Sequence, residues 1–194
     1  MTWPAPVTLT GAIGTVRPLE EADAAALAEA SADGDLSTLW YTSVPDPDNI
    51  AAEITRRLTL QAKGEMTAFT ILDAKGLPVG MTTYMHPDAQ NRRVEIGSTW
   101  MRKSVQRTGL NTEIKLLMLA HAFEELDCIC VEFRTHILNA QSRRAIERLG
   151  ARLDGILRAH VIMANGTIRD TAAYSITAPE WPTVKAHLMA LLNR

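Results

Sequence analysis

A chain of 194 residues with 46% apolar and 22% charged residues can bury enough apolar surface to offset the entropy of ordering it, which excludes a disordered chain and predicts one domain over residues 1–194. A formal net charge of −2 and a pI near 6.2 exclude a surface built to coat nucleic acid or a polybasic membrane face, so the expected partner is a small molecule or a peptide. No basic-then-apolar leader opens the sequence and no window approaches 18 consecutive apolar residues, which predicts a cytoplasmic protein.

The predicted elements begin with a strand over Ile13 to Val16, ahead of Arg17-Pro18, and an alanine-rich helix from Glu20 to Ala30. Asp48-Asn49 then caps a helix with Ile50, Ile54 and Leu58 on one stripe, stopping near Gly64. Three strand-like runs follow, Thr67 to Asp73, Pro78 to His86 and Arg92 to Met101, with turns at Lys75-Gly76 and Pro87-Asp88, and they predict a meander. Leu110 to Leu126 reads as a helix apolar around much of its circumference, hence buried against a sheet. Ile129 to Thr135 reads as a strand that Cys128 and Cys130 approach on one face without disulfide geometry, so both are expected as reduced packing residues. The five histidines lack ligand spacing, and no metal is expected. Asn139 to Leu149 is a capped amphipathic helix ended by Gly150, Asn165-Gly166 predicts a hairpin between Arg158 to Met163 and Thr167 to Ile176, and a helix carrying Val184, Leu188 and Leu191 closes the chain.

Three segments carry chemistry. In VQRTGLNTE, residues 105–113, Gly109 permits a tight turn and the amides of Arg107 to Asn111 can converge as an anion nest at a helix N-terminus. That arrangement suits a diphosphate; an ordinary strand-to-helix turn has the same spacing. No Walker loop and no Gly-x-Gly-x-x-Gly run is present. Alternation along the preceding strand sets Val94, Ile96, Ser98 and Trp100 on one face and Arg93, Glu95, Gly97 and Thr99 on the other. A carboxylate beside a missing side chain suits a ligand floor, as it also suits a solvated strand face. In the third segment Asn139 is a predicted N-cap with Ser142 in the first turn, and capping alone would explain both.

Taken in order, EIGSTW, QRTGLNTE, NAQSRRAIERLGA and RDTAAYSI resemble the GNAT N-acetyltransferase superfamily, in particular the branch of ribosomal-protein N-terminal acetyltransferases containing RimJ and RimL. The likeness runs from about Val7 to Ile176. It implies an α/β (α+β) fold: a mixed, strongly twisted sheet of about seven strands, flanked by helices, with two central strands splayed apart. Acetyl-CoA would lie in the gap as cosubstrate, with its diphosphate on loop amides.

The resemblance also carries roles. Gln106 and Gly109 match the Gln/Arg-x-x-Gly-x-Gly/Ala loop, with Arg107, Thr108 and Leu110 in variable positions. Asn111 replaces the usual small residue, and Thr112 follows as in the branch. Asn139 matches a position that contacts the pantetheine arm, Ser142 one from which a hydroxyl can approach the thioester sulfur, and Glu95 the Glu of the branch's Glu-Ile-Gly motif on the acceptor side. An amine attacks a thioester only as the neutral base, so Glu95 is the expected general base. A backbone amide across Thr99, Trp100 and Met101 is the expected oxyanion donor, and Ser142 the donor to sulfur; family members often use a tyrosine for that task, but Tyr174, in the matching late strand, is read as a buried structural residue. Arg102, Lys103, Arg107, Arg143 and Arg144 could attract phosphates or be merely solvated, and Trp40, Tyr41 and Tyr84 could line the acceptor mouth or pack in the core. The acceptor is expected to be a protein or peptide N-terminus. A small amine is the alternative within the enzyme class, and a non-catalytic acetyl-CoA-binding module the alternative outside it. A homodimer through the Asn165-Gly166 hairpin and the last helix is a family-like arrangement.

Overall fold

A computed structural model describes residues 3–42 and 44–193. Its eight strands form one sheet in the order β1-β2-β3-β4-β5-β6-β8-β7: β1 (Leu9–Thr10), β2 (Gly14–Pro18), β3 (Met66–Asp73), β4 (Pro78–Asp88), β5 (Arg93–Met101), β6 (Cys130–His136), β7 (Arg152–Ile162) and β8 (Ile168–Thr177). The helices are α1 (Ala24–Ala32), α2 (Ile50–Ala62), α3 (Leu110–Ala120), α4 (Ala140–Arg148) and α5 (Trp181–Leu192). The count exceeds the expected seven strands because β1 has two residues, too few to leave an alternation in sequence. The predicted meander is present as β3-β4-β5, antiparallel throughout.

Adjacent residues of the sheet feed two cores, as strand geometry requires. Phe69, Ile71, Val94 and Ile96 pack with Ile114 and Met118 of α3 and with Val184 and Leu188 of α5. Ala68, Met81 and Trp100 pack on the other face with Leu27 of α1 and Ile50 and Ile54 of α2. Cys128 and Cys130 are free, and burial pushes the Cys128 thiol up to about 12, so it packs as a protonated thiol. Among the described residues no helix is long and apolar enough to cross a membrane.

Several boundaries differ from the expected ones. Glu20 and Asp23 form a capping box around a 3-10 turn, so α1 begins only at Ala24. Asp46, rather than Asp48, caps the turn that leads into α2, its carboxylate accepting from the Asn49 amide at 3.0 Å. Pro87-Asp88 lie inside β4 and not in a turn, because His86 adopts φ 48° and adds one residue to β4 opposite β5. β7 starts at Arg152 rather than Arg158: as an edge strand with two register shifts, exposed along nearly its whole length, it shows no burial alternation.

The decisive feature is where pairing stops. Among the described residues β5 and β6 are the one parallel pair, joined at Arg93↔Cys130, Val94↔Val131 and Glu95↔Glu132. Beyond Glu95, β5 stays paired to β4 as far as Met101, and beyond Glu132, β6 stays paired to β8 as far as His136. The two strands therefore continue without each other, and a gap opens between them.

Candidate functional site

The floor of the gap is shaped by a bulge. Thr83 pairs with Gly97 and Met81 with Trp100, so β5 carries one extra residue, and Ser98 takes φ 47°. This inverts the expected alternation. Val94 and Ile96 share the α3 face with Met101 and Thr99, while Trp100 joins Glu95 and Gly97 on the α1/α2 face.

The inversion decides what β5 offers the gap. Arg102 N–H donates to Val79 O of β4 at 2.8 Å, so by alternation the backbone groups of Met101 and Thr99 turn toward the gap and those of Trp100 toward β4. Gln106 Nε2 occupies the Met101 carbonyl at 2.9 Å. The Thr99 hydroxyl is committed on the opposite side, to Lys115 Nζ at 2.7 Å and Thr82 Oγ1 at 2.8 Å. Trp100 thus presents neither backbone nor ring to the gap, and Thr99 and Met101 present backbone alone.

Sequence reasoning missed two buried cations around this strand. Arg57, 2% exposed, donates to Glu53 at 2.7 Å, to Thr83 Oγ1 at 2.8 Å and to the bulge carbonyl of Ser98 at 3.3 Å. The signal was available, since Arg57 stands seven residues after Ile50 on the buried stripe of α2. Lys115 is buried, its partners among the described residues are hydroxyls only, and desolvation pushes its ammonium down to about 7.

At the open end, β5 runs into the 103–109 loop and α3, and β6 runs into α4, so two helix N-termini flank the gap. Gln141 of α4 reaches Gln106 of the loop at 3.5 Å. Gly109 does not supply the turn's left-handed residue: its φ is −66°, and Arg107 takes φ 61° instead. Glycine at 109 answers to crowding, since a Cβ there would sit 3.0 Å from Ile13 Cδ1. The backbone N–H groups of Arg107, Thr108, Gly109, Asn111 and Thr112 donate to no acceptor among the described residues. Side chains in the segment are otherwise engaged. Leu110 is in the core, Thr108 Oγ1 bonds the loop itself, and Thr112 Oγ1 accepts from Arg148 at 2.7 Å.

Across the gap, Asn139 Oδ1 caps α4 through the Ser142 amide at 3.0 Å, while the half-buried Ser142 hydroxyl has no hydrogen bond among the described residues. Tyr174 is 1% exposed, its hydroxyl accepting from Arg143 at 2.9 Å and donating to Glu147 at 2.7 Å, so it is a structural member of the α4–β8 contact. Arg102 is paired to Asp33 at 3.0 Å, and hydrogen bonds from Ser104 and then Arg102 hold that carboxyl down to about 2. Arg107, Lys103 and Arg144 appear in no ion pair among the described residues.

At the closed end, Glu95 is 5% exposed. Its Oε2 is 2.9 Å from His86 Nδ1 and 3.5 Å from Arg134 Nε. Hydrogen bonding to that carboxylate raises His86 above the ordinary histidine value. His86 borders a cavity of about 440 Å³ with Arg56, Leu60, Glu65, Met66 and Met85. Trp40 meets His136 edge-on with ring centroids 5.3 Å apart and Tyr41 at 5.7 Å. Tyr84 takes the second of its two expected places: it is fully buried in the core and donates to Met118 O at 2.6 Å. No group of three or more His, Cys, Asp or Glu side chains is gathered as a metal site among the described residues.

The profile of the acetyltransferase (GNAT) domain family matches residues 15–152. A Bacillus subtilis (strain 168) protein named "Putative ribosomal N-acetyltransferase YdaF" is 32% identical over 102 residues, 53% of this chain and 55% of that protein, so the match spans about half of that relative's length. The crystal structure of a GCN5-related N-acetyltransferase from Brucella melitensis is 30% identical and superposes with a TM-score of 0.88, covering 97% of this chain and 86% of that one. Mycobacterium smegmatis RimJ, solved in complex with CoA-disulfide, shares the fold at 24% identity, with a TM-score of 0.79 over 100% of this chain and 98% of that one.

Proposed function

The chain belongs to the acetyltransferase (GNAT) domain family, and from that membership we propose that it transfers the acetyl group of acetyl-CoA to a primary amine, the α-amine at a protein or peptide N-terminus. The observation that carries the reading is the end of β5–β6 pairing at Glu95↔Glu132, with a helix N-terminus on either side of the resulting gap. The amides of Arg107, Thr108, Gly109, Asn111 and Thr112, without an acceptor among the described residues, suit the diphosphate of acetyl-CoA. The Gln106 and Asn139 side chains border the path of its pantetheine arm.

The chemistry then divides among this chain's groups. The Glu95–His86 pair on the acceptor face removes the proton that keeps an amine from attacking. An α-amine, with a pKa near 8, gives up that proton far more readily than a lysine near 10.4, which favours a chain terminus. The Thr99 N–H, turned into the gap, is the donor for the developing oxyanion. The Ser142 hydroxyl donates to the departing sulfur, a role supported by its having no other hydrogen-bond partner among the described residues. The name of the Bacillus subtilis relative supports a ribosomal protein as acceptor. A single domain over 1–194, a cytoplasmic setting and a homodimer through the Asn165-Gly166 hairpin and α5 complete the proposal.

Ser142→Ala is expected to lower kcat by about tenfold with the Kd for acetyl-CoA and the Tm little changed, because Asn139, not the serine hydroxyl, caps α4. A fall in Tm with kcat unaffected would return Ser142 to a structural role. The acceptor class is tested by mass spectrometry on paired peptides, one with a free α-amine and one N-blocked but carrying lysine. The proposal requires acetylation of the first and none of the second.

A further inference from the structure

Which atom takes the amine's proton is a separate question, and the acceptor face answers it differently from the motif. Glu95 is almost wholly buried and does not border the 440 Å³ cavity, whereas His86 does, with its side chain 62% exposed. A regular β4 would point His86 to the face opposite Met85 and Met85's cross-strand partner Glu95. The bulge at His86, φ 48°, turns the ring onto the Glu95 face instead. Non-glycine residues adopt this conformation at a cost, and here it delivers an imidazole to a carboxylate.

The same carboxylate oxygen faces Arg134 at 3.5 Å, and Arg169 lies close enough on β8 to feel its charge. A carboxylate hydrogen-bonded to an imidazole fixes the tautomer of the ring. With Nδ1–H donated to Glu95, the Nε2 lone pair remains available.

We propose that His86 is the catalytic proton acceptor on the acceptor face and that Glu95 is its positioning residue; this rests on the acetyl-transfer reading above. An incoming ammonium gives one proton to His86 Nε2, freeing the nitrogen lone pair to form the N–C bond to the thioester carbon. When the C–S bond breaks, its electron pair leaves on sulfur, which takes the second amine proton by way of Ser142. His86 returns its proton to water, so the sum is ammonium plus acetyl thioester giving amide, thiol and one proton. The raised basicity of the ring suits an α-amine near neutral pH. The charged groups around the ring are Glu95 of β5, Glu132 and Arg134 of β6, and Arg56 and Glu65 at the cavity wall.

The test is His86→Ala, assayed by thiol release with a free α-amine peptide as probe, with and without added imidazole. Expected are a loss of kcat of at least about 100-fold, an unchanged Kd for acetyl-CoA, and recovery in proportion to imidazole. Retention of more than half the turnover, or a loss that imidazole does not restore, would overturn the assignment. NMR titration of the His86 ring in the intact protein gives a second reading that does not depend on the alanine variant folding. The ring should titrate above the ordinary histidine value and drop in Glu95→Gln, and indifference to Glu95 would overturn the pairing. Failure of the acetyl-transfer reading looks different: no thiol release by the unsubstituted protein with any amine, while the ring titration is unaltered. That result would remove the proton role as well.

Discussion

Glu95→Gln is expected to lower kcat by about 100-fold to 10,000-fold while leaving the Kd for acetyl-CoA within about twofold. The substitution keeps the shape of a side chain that is 5% exposed, so packing against Met85 and Gly97 survives. What disappears is the negative charge that Arg134 and His86 share. An amide in that place can donate to Nδ1 and so stabilise the wrong imidazole tautomer, the reason a buried carboxylate-to-amide change beside a catalytic histidine is so damaging. The acetyl-CoA contacts proposed for residues 106–112 and 139–142 lie at the other end of the gap, which is why affinity should not follow turnover. The pH profile supplies a second check. Hydrogen bonding to Glu95 raises His86, so the acid limb of the residual activity should move to lower pH once the charge is gone. Unchanged kcat and an unmoved limb would take Glu95 out of the chemistry.

Lys115→Met is expected to stabilise the fold by about 2 to 4 kcal/mol near pH 6. Lys115 is buried on α3 with two hydroxyls for company and no carboxylate partner among the described residues, and desolvation brings its ammonium from 10.5 down to about 7. At about 1.4 kcal/mol for each tenfold change in proton affinity, that fall corresponds to a penalty on the order of 4 to 5 kcal/mol. Because the folded-state value lies below the unfolded one, the penalty is full below pH 7, shrinks as the pH rises from 7 toward 10.5, and vanishes above. The stability difference between the methionine variant and the natural chain should therefore narrow over that window in denaturant melts at stepped pH. Parallel pH curves would show that the amine is not held in the apolar layer as described.

Periodicity and turn chemistry located the helices and nearly every strand, because those elements bury one face or two and their patterns are long enough to repeat. It could not locate the bulges. Ser98 and His86 each add one residue and take a left-handed conformation without glycine, asparagine or aspartate to announce it. The Ser98 insertion reversed the facing of Thr99, Trp100 and Met101, and the His86 insertion turned an imidazole onto the Glu95 face where the sequence suggested the regular end of a strand. Glycine misled in the loop for a related reason: Gly109 is there for the Ile13 side chain, while Arg107 bears the unusual φ. Arg57 and Lys115 could have been suspected, since each is a charge set in a stripe that the helical period marks as buried. The gap itself had no local signature and came from the resemblance alone, since two strands that stop pairing keep the composition of strands that pair.

The measurement that tests acetyl transfer most directly is release of free thiol from acetyl-CoA by the purified protein, across N-terminal peptides, amino acids, polyamines and aminoglycosides. The account predicts release with peptides bearing a free α-amine, at a rate that depends on Glu95. Tight binding of acetyl-CoA with no thiol released by any of these amines would contradict it and leave a binding module in place of an enzyme.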